Sequence, residues 1–351
     1  MRSQAVSRLF LLLLSFATQA ASAADAAPGP TEDAALWRLQ WANDIFLDSD
    51  NQFTNGFTLQ LHSQARSSLA ATGGTPAFGK ALAKLVLPRG DELWFREGWA
   101  LGHNMQTPQD IERAELIPTD VPYVGMLGWA NSYVAFNDRE LTGFELMLGV
   151  VGPVTQSEEI QTFVHDLSGD PEPQGWDNQL ENEPLLNLYY MKKRKFWSAR
   201  NFDAAWNLDG ALGNFFTFGQ ASLEMRLGRV PPGFAFVPTP IGRGIDYDAR
   251  LPEQGASYFY ASLVLRGTLF LHALPREGNT FRNDNAWTEQ NLVSMERTVG
   301  QAVLGIHWER PSWAVHLNYW ISTNTLDSAS VSQPVDLANS FGAVTFEWKF
   351  H

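Results

Sequence analysis

The chain has no cysteine, so its fold uses neither disulfides nor thiolate metal ligands. Basic charge is scarce as well: the formal net charge is −13 at pH 7. That balance argues against nucleic acid as a partner, because binding phosphates needs a basic surface. Past the first two dozen residues, no stretch approaches the roughly 18 to 20 apolar residues of a membrane-spanning helix. No Gly-x-Ser-x-Gly elbow occurs, so an ordinary serine esterase gains no support. Nor does any Pro/Ser-rich linker or shift in composition divide the 351 residues into two cores, and a single large domain is the simplest reading.

What is present begins with an export signal over residues 1–23. Arg2 and Arg8 precede the apolar run Leu9 to Leu14, and Ala21-Ser22-Ala23 offers small residues to a signal peptidase. Residues 24–35 read as a disordered lead-in, and 36–351 as the mature domain. That domain is rich in aromatics, the chain having 13 Trp, 23 Phe and 8 Tyr. Many aromatics without a long apolar run is what a transmembrane β-barrel shows, since aromatic girdles mark both interfaces while the lumen stays polar. The C-terminus agrees: Val344, Phe346, Trp348 and Phe350 alternate with Thr345, Glu347, Lys349 and His351.

Alternation and turn residues predict strands near 36–44, 54–65, 94–106, 122–136, 140–151, 184–197, 202–213, 216–228, 256–270, 291–308, 313–325 and 339–350. The fold class is therefore an all-β, antiparallel transmembrane barrel of about 12 strands, with short helices in its loops. An even count returns both termini to the periplasmic side, together with the tight links around Asp138, Ala199 and Pro311. Two connections fit that scheme badly. Residues 66–93, which contain a short amphipathic helix (AFGKALAKLVL), and the Pro/Gly-rich 229–255 would both be long periplasmic links. Either the count is wrong by a pair, or these loops fold against the barrel base.

Candidate chemistry gathers at the other end. Between the first two strands, Asn43, Asp44, Asp48, Asp50, Asn51, Thr54 and Asn55 crowd a short loop. This density of hard oxygen ligands suits calcium, although Asx residues are also what ordinary loops are made of. In the connection 152–183, Thr155 and Glu158 are spaced as a capping box, and Ile160, Phe163, Val164 and Leu167 follow at helical spacing. His165 lies off that apolar stripe, on the side of Glu158 and Gln161, and this loop emerges at the same rim as Asn43, Asp44 and Thr54. The next segment carries Asp170, Glu172, Asp177, Glu181 and Glu183, either a solvated loop or a wall of the same site.

The blocks NDIF, FTNGFTLQL, NMQTPQDI, PYVG, GVVGP with IQTFVHDLSG, PEPQGWDNQLENEP, GNTFRNDN and FGAVTFEWKF, in this order, resemble the outer-membrane lipid A 3'-O-deacylase family over nearly the whole mature chain. The resemblance implies a twelve-stranded barrel in the bacterial outer membrane and a calcium-dependent hydrolase that removes the 3'-O-linked acyl group from lipid A of lipopolysaccharide. Carried over by motif, the site falls on Asn43, Asp44, Thr54 and His165, with one acidic residue after the histidine. That residue is assigned to Glu172, with Asp170 as substitute, because an ungapped reading puts Pro171 at the acidic position. His165 would act as general base and Asp44 with Glu172 would hold Ca²⁺. Asn43 would serve the oxyanion, Thr54 would position water or metal, and Arg276 and Arg282 would meet the lipid's phosphates. Two rivals use the same barrel: a non-catalytic channel or scaffold, and an outer-membrane phospholipase, for which His62-Ser63 is the only adjacent His/Ser pair. Oligomeric state is not legible in the sequence.

Overall fold

The computed structural model describes residues 35–43, 53–73, 76–238, 256–282, 284–331 and 338–350. The expected signal peptide, the lead-in to residue 34, and Asp44, Asp48, Asp50 and Asn51 lie outside the described residues.

Twelve antiparallel strands close into one barrel: β1 (Ala35–Asn43), β2 (Phe53–His62), β3 (Trp94–Gln106), β4 (Val124–Phe136), β5 (Glu140–Val151), β6 (Glu183–Ala199), β7 (Phe202–Gly213), β8 (Phe216–Arg229), β9 (Tyr258–Ala273), β10 (Thr298–Glu309), β11 (Trp313–Asn324) and β12 (Ala338–Phe350). Each strand pairs with its sequence neighbours. β1 closes the ring on β12, from Ala35 opposite Phe350 to Asn43 opposite Gly342, which leaves no open edge.

The period of two in the sequence becomes an inside and an outside. Arg38, Gln40, Thr58, Gln60, Thr345 and Glu347 are buried in the lumen, while Trp37, Phe57, Leu59, Leu101, Leu148 and Leu186 stand exposed on the outer wall. This inversion of a soluble barrel is stable only with lipid outside. Lumen charges are paired, as an isolated buried charge would be costly. Arg38 meets Glu347, Lys193 meets Glu224 at 2.7 Å, and Asp203 takes both Arg226 and Lys195.

Strand positions follow the sequence reading except at β10, which begins at Thr298 rather than 291. The side chain of Asn285 caps a short helix, Ala286–Gln290, by accepting from Thr288 N–H. The chain then runs irregularly, bridging Met295 to Leu326, before it joins the sheet.

The two awkward connections leave the count intact, and they go to opposite faces of the wall. In the first, helix α1 (Ala77–Val86) lies outside the barrel. Its Ala83 and the following Leu87 pack with Phe95, Tyr133, Ala135, Phe144 and Leu146. A Cβ at Gly79 would come within 2.4 Å of Asn131 Oδ1, so glycine permits this close seat. In the second, residues 231–238 enter the lumen. The Phe236 ring lies 4.6 Å from His316 and 4.5 Å beneath the Arg38 guanidinium. Arg226 secures this segment by donating to the carbonyls of Pro231, Gly233 and Phe234.

Candidate functional site

The candidate site stands on the outside of the wall, at the end of β1–β4 opposite the tight turns. Register sets Asn43, Asn55, Met105 and Gly125 in one row across four strands. Asn55 Oδ1 accepts from Trp41 Nε1 at 2.9 Å and from Asn43 Nδ2 at 3.4 Å, so both asparagines share the outward face. Thr54 precedes Asn55 in β2, where pairing with β3 slips between Phe53 and Asn55. Such irregularities let a strand end re-aim its residues.

Helix α2 (Ser157–Ser168) lies outside the barrel over the β4 and β3 end of this row. Gly152 (φ 105°) and Gln156 (φ 57°) turn the chain back from β5, and Gly152 N–H donates to Gly125 O at 3.0 Å. Gly125 is the seat: a Cβ there would come within 2.1 Å of the hydroxyl oxygens of Ser157 and Thr155. His103, the outward residue of β3 one row below, has Nε2 3.0 Å from Ser157 Oγ and 3.3 Å from Thr155 O. The expected capping box is absent. Thr155 Oγ1 instead donates to Gly152 O, and Gln156 caps the helix without a side-chain bond.

The orientation of α2 is also opposite to that of a surface helix on a soluble core. Ser157 and Gln161 are buried against the wall, whereas Ile160, Phe163, Val164 and Leu167 are 39 to 73% exposed. Outside a membrane barrel the apolar side faces lipid and the polar side faces protein. His165 continues the wall-side series, since Ser157, Gln161 and His165 succeed one another at i, i+4 spacing.

Contacts fix the imidazole. Trp176, buried against Tyr123 and Met105, donates its indole N–H to Gln161 Oε1 at 2.8 Å. Gln161 Nε2 lies 3.5 Å from His165 Nε2, and His165 Nδ1 is 2.6 Å from Pro171 O. A carbonyl only accepts, so Nδ1 carries a proton, and in the neutral tautomer the lone pair is on Nε2. The helix end makes this possible. Gly169, at φ 76°, and Asp170 both donate to His165 O, which turns the chain so that Pro171 comes back beneath the ring.

The sequence-predicted residues thus divide. Asn43 and His165 share the outer, membrane-side face at one end of the barrel, and Thr54 is beside Asn55 in the same row of strand ends. Glu172 is exposed in the loop after α2 and Asp170 is half-buried; Asp44 lies outside the described residues. Among the described residues, no group of three or more His, Asp or Glu could hold a metal ion. The donors on this face are amide, hydroxyl and carbonyl oxygens, which suit a hard cation. Of the two arginines, Arg282 is already engaged, with its guanidinium 2.6 and 2.9 Å from the Asp284 carboxylate. Arg276 stacks 5.8 Å over Phe270, and burial pushes it down to about 10. The His62-Ser63 pair is no dyad: His62 is sealed in the lumen, where its Nε2 meets Gln60, while Ser63 caps Glu97 N–H. Asn55 belonged to the oxygen-rich loop cluster read from the sequence, whereas His103, Ser157, Gln161 and Trp176 were not given a role there. The step of four residues back from His165 was the available signal for Gln161 and Ser157.

A family model described as "Outer membrane protein LpxR" matches residues 9–350. The chain belongs to the LpxR family of outer-membrane proteins. Among solved structures, LpxR from Salmonella typhimurium is similar to it with a TM-score of 0.67 at 14% identity, covering 90% of this chain and all of that one. At that identity the likeness establishes a shared LpxR barrel fold. The β-domain of the Bordetella autotransporter BrkA, at 9% identity, reaches a TM-score of 0.42 over 92% of this chain and 100% of its own. No curated protein sequence matches.

Proposed function

We propose that this LpxR-family protein is a calcium-dependent lipid A 3'-O-deacylase, which hydrolyses the ester holding the 3'-linked acyl group to the sugar. The observation that carries the reading is the hydrogen bond from His165 Nδ1 to Pro171 O. It makes Nε2, 3.5 Å from Gln161 Nε2, the acceptor of the neutral ring on the outer face of the barrel wall; water would take the place of that long amide contact when the ester of a lipid enters from its leaflet.

In this mechanism His165 Nε2 takes a proton from water as the water oxygen bonds to the acyl carbon. The tetrahedral intermediate then collapses, the bond between the acyl carbon and the sugar oxygen breaks, and the same imidazole returns its proton to that oxygen. A free carboxylic acid and a sugar hydroxyl result. Gln161, held by Trp176, keeps the ring in plane, and Asn43 would donate an amide hydrogen to the oxyanion. Asp44 and Glu172 would hold Ca²⁺, which when bound supplies Lewis-acid polarisation of the carbonyl. To meet a phosphate, Arg282 would have to leave Asp284 and Arg276 its seat over Phe270. The channel reading finds no support in a lumen where Phe236 lies between Arg38 and His316.

The test is lipid mass spectrometry of an outer membrane of known lipid A composition, with the chain expressed in the presence of calcium, with a chelator, and as His165→Ala. Loss of the 3'-acyl chain only for the wild type with calcium is the expected result. Retention of that chain under every condition would overturn the proposal, and loss of phospholipid chains instead would transfer the site to a phospholipase.

A further inference from the structure

Helix α1 has no part in the site above, yet it also lies outside the barrel, over β3–β5 in the half nearer the tight turns. It covers an unusual piece of wall. Glu97, Asn131 and Tyr133 all point outward and are fully buried, Tyr133 Oη donating to the Glu97 carboxylate at 2.7 Å and Asn131 Nδ2 at 3.4 Å. A carboxylate facing lipid would be very costly. The segment leading into α1 helps to enclose it, since a Cβ at Gly73 would stand 3.1 Å from Glu97 Oε2.

The other sides of α1 are bare and unlike one another. At 100° per residue, Gly79 and Ala83 turn to the wall, Phe78, Ala81 and Leu85 to one flank, and Lys80 and Lys84 to the opposite flank. Phe78 is 51% exposed and Leu85 80%. Lys80 is tied back to the carbonyls of Ala70 and Thr72 at 3.0 and 2.7 Å, and Lys84 is exposed. The helix carries no acidic residue, in a chain of net charge −13. Depth can be read from the wall. Gly79 abuts Asn131, five residues from the Phe136 end of β4. That is about 12 Å along the barrel axis at the rise and tilt of a membrane strand, inside an apolar band about 25 Å tall.

We infer that α1 is a membrane-embedded helix of the periplasmic leaflet. Phe78, Ala81 and Leu85 lie among phospholipid acyl chains, continuing the apolar belt of β3–β6, while Lys84 snorkels to the phosphate layer. The helix thereby lets a hydrogen-bonded carboxylate exist in a wall that lipid would otherwise wet. This role is independent of the hydrolase chemistry.

The absence of native cysteine makes the test direct. Single nitroxide labels at Phe78→Cys, Ala81→Cys, Lys84→Cys and Leu85→Cys, in barrels folded into phosphatidylethanolamine/phosphatidylglycerol vesicles, are read for collisions with oxygen and with a water-soluble nickel chelate. Arg200→Cys, in the β6–β7 turn, serves as the aqueous control. Positions 78, 81 and 85 should show high oxygen and low nickel collision rates, and position 84 a several-fold higher nickel rate than 85. Nickel rates at 78 and 85 equal to that at 200 would overturn the inference by putting the helix in water. Low rates for both reagents would overturn it by putting the helix against protein, as in contact with a second copy. Should the label at 78 prevent folding, the one at Leu85, the most exposed apolar position of the helix, gives the same reading.

Discussion

The barrel keeps two populations of polar side chains, one in its lumen and one on its outer wall, and they are built on different terms. The lumen holds full charges in sealed pairs, Arg38 with Glu347 and Arg226 with Asp203, all nearly devoid of exposure. At the outer rim of β1–β4 the described polar groups are amides (Asn43, Asn55 and Gln161), hydroxyls (Thr155 and Ser157) and the imidazoles of His103 and His165. Full charge is tolerable where a partner is permanent and solvent never changes. At a lipid-facing wall each polar group must satisfy the next, which neutral donors and acceptors can do while one edge stays open to substrate. By this division the lumen network is scaffold and the network beneath α2 is chemistry, while the Glu97 carboxylate on the wall is sealed under α1 as the lumen charges are sealed.

The largest expected effect breaks the outer network at its end. His165→Gln should lower kcat for lipid A deacylation by about 10² to 10⁴, with unfolding in detergent unchanged, because His165 is only half-buried. The lumen should respond in the opposite sense. Arg226→Met leaves Asp203 with only Lys195 and frees three carbonyls of the inserted segment, which should destabilise the barrel by about 3 to 5 kcal/mol. Activity per folded molecule should persist, as measured by activity normalised to the fraction of heat-modifiable, folded band. If Arg226→Met lost kcat at full stability, the division between scaffold and chemistry would be wrong.

Next in size is the seat of the helix. Gly125→Val sets a side chain against Ser157 and Thr155, where no room exists even for a Cβ, and should lift α2 from the wall. A displacement near 1 Å costs about 10²-fold when it falls on positioned groups, so a drop of roughly 10- to 100-fold in kcat/KM is expected. Gly219→Val on β8, with nothing within 4 Å of the added Cβ, is the matched control and should leave kcat/KM within about twofold. Equal loss in both variants would mean that the effect is one of barrel folding and not of α2.

Much of this arrangement was legible in the sequence, and what was not has a common cause. Alternation located the strands because every strand of a barrel has one lumen and one lipid face, and Trp37 to Asn43 reads that way without any partner in view. Topology then brought His165 to the rim of Asn43. The destinations of 66–93 and 229–255 could not be read, since a helix seated on an outer wall and a strap inserted in a lumen are defined by their distant partners: Asn131 and Tyr133 for one, Arg38, Arg226 and His316 for the other. The orientation of α2 was hidden for a related reason. An apolar stripe reports that a helix has two sides, and only the medium decides which side faces the protein. The stripe of Phe163 and Leu167 therefore set His165 apart, on the side of Gln161, without showing that this side meets the wall.

That stripe offers the smallest and most discriminating change. Phe163 and Leu167 are 62 and 73% exposed, on the side of α2 away from His165, and so they touch the membrane and not the reacting ester. Phe163→Ser with Leu167→Ser should raise KM for lipid A in vesicles by a few-fold, since less apolar area is then buried in the leaflet, while kcat holds. The same variant assayed on a detergent-dispersed ester should match wild type, because no leaflet is there to be entered. A fall in kcat in both assays would instead mean that the stripe stiffens the helix that carries His165. The outer network would then depend on lipid contact for its geometry, unlike the lumen pairs Arg38–Glu347 and Arg226–Asp203, which lie wholly within the protein.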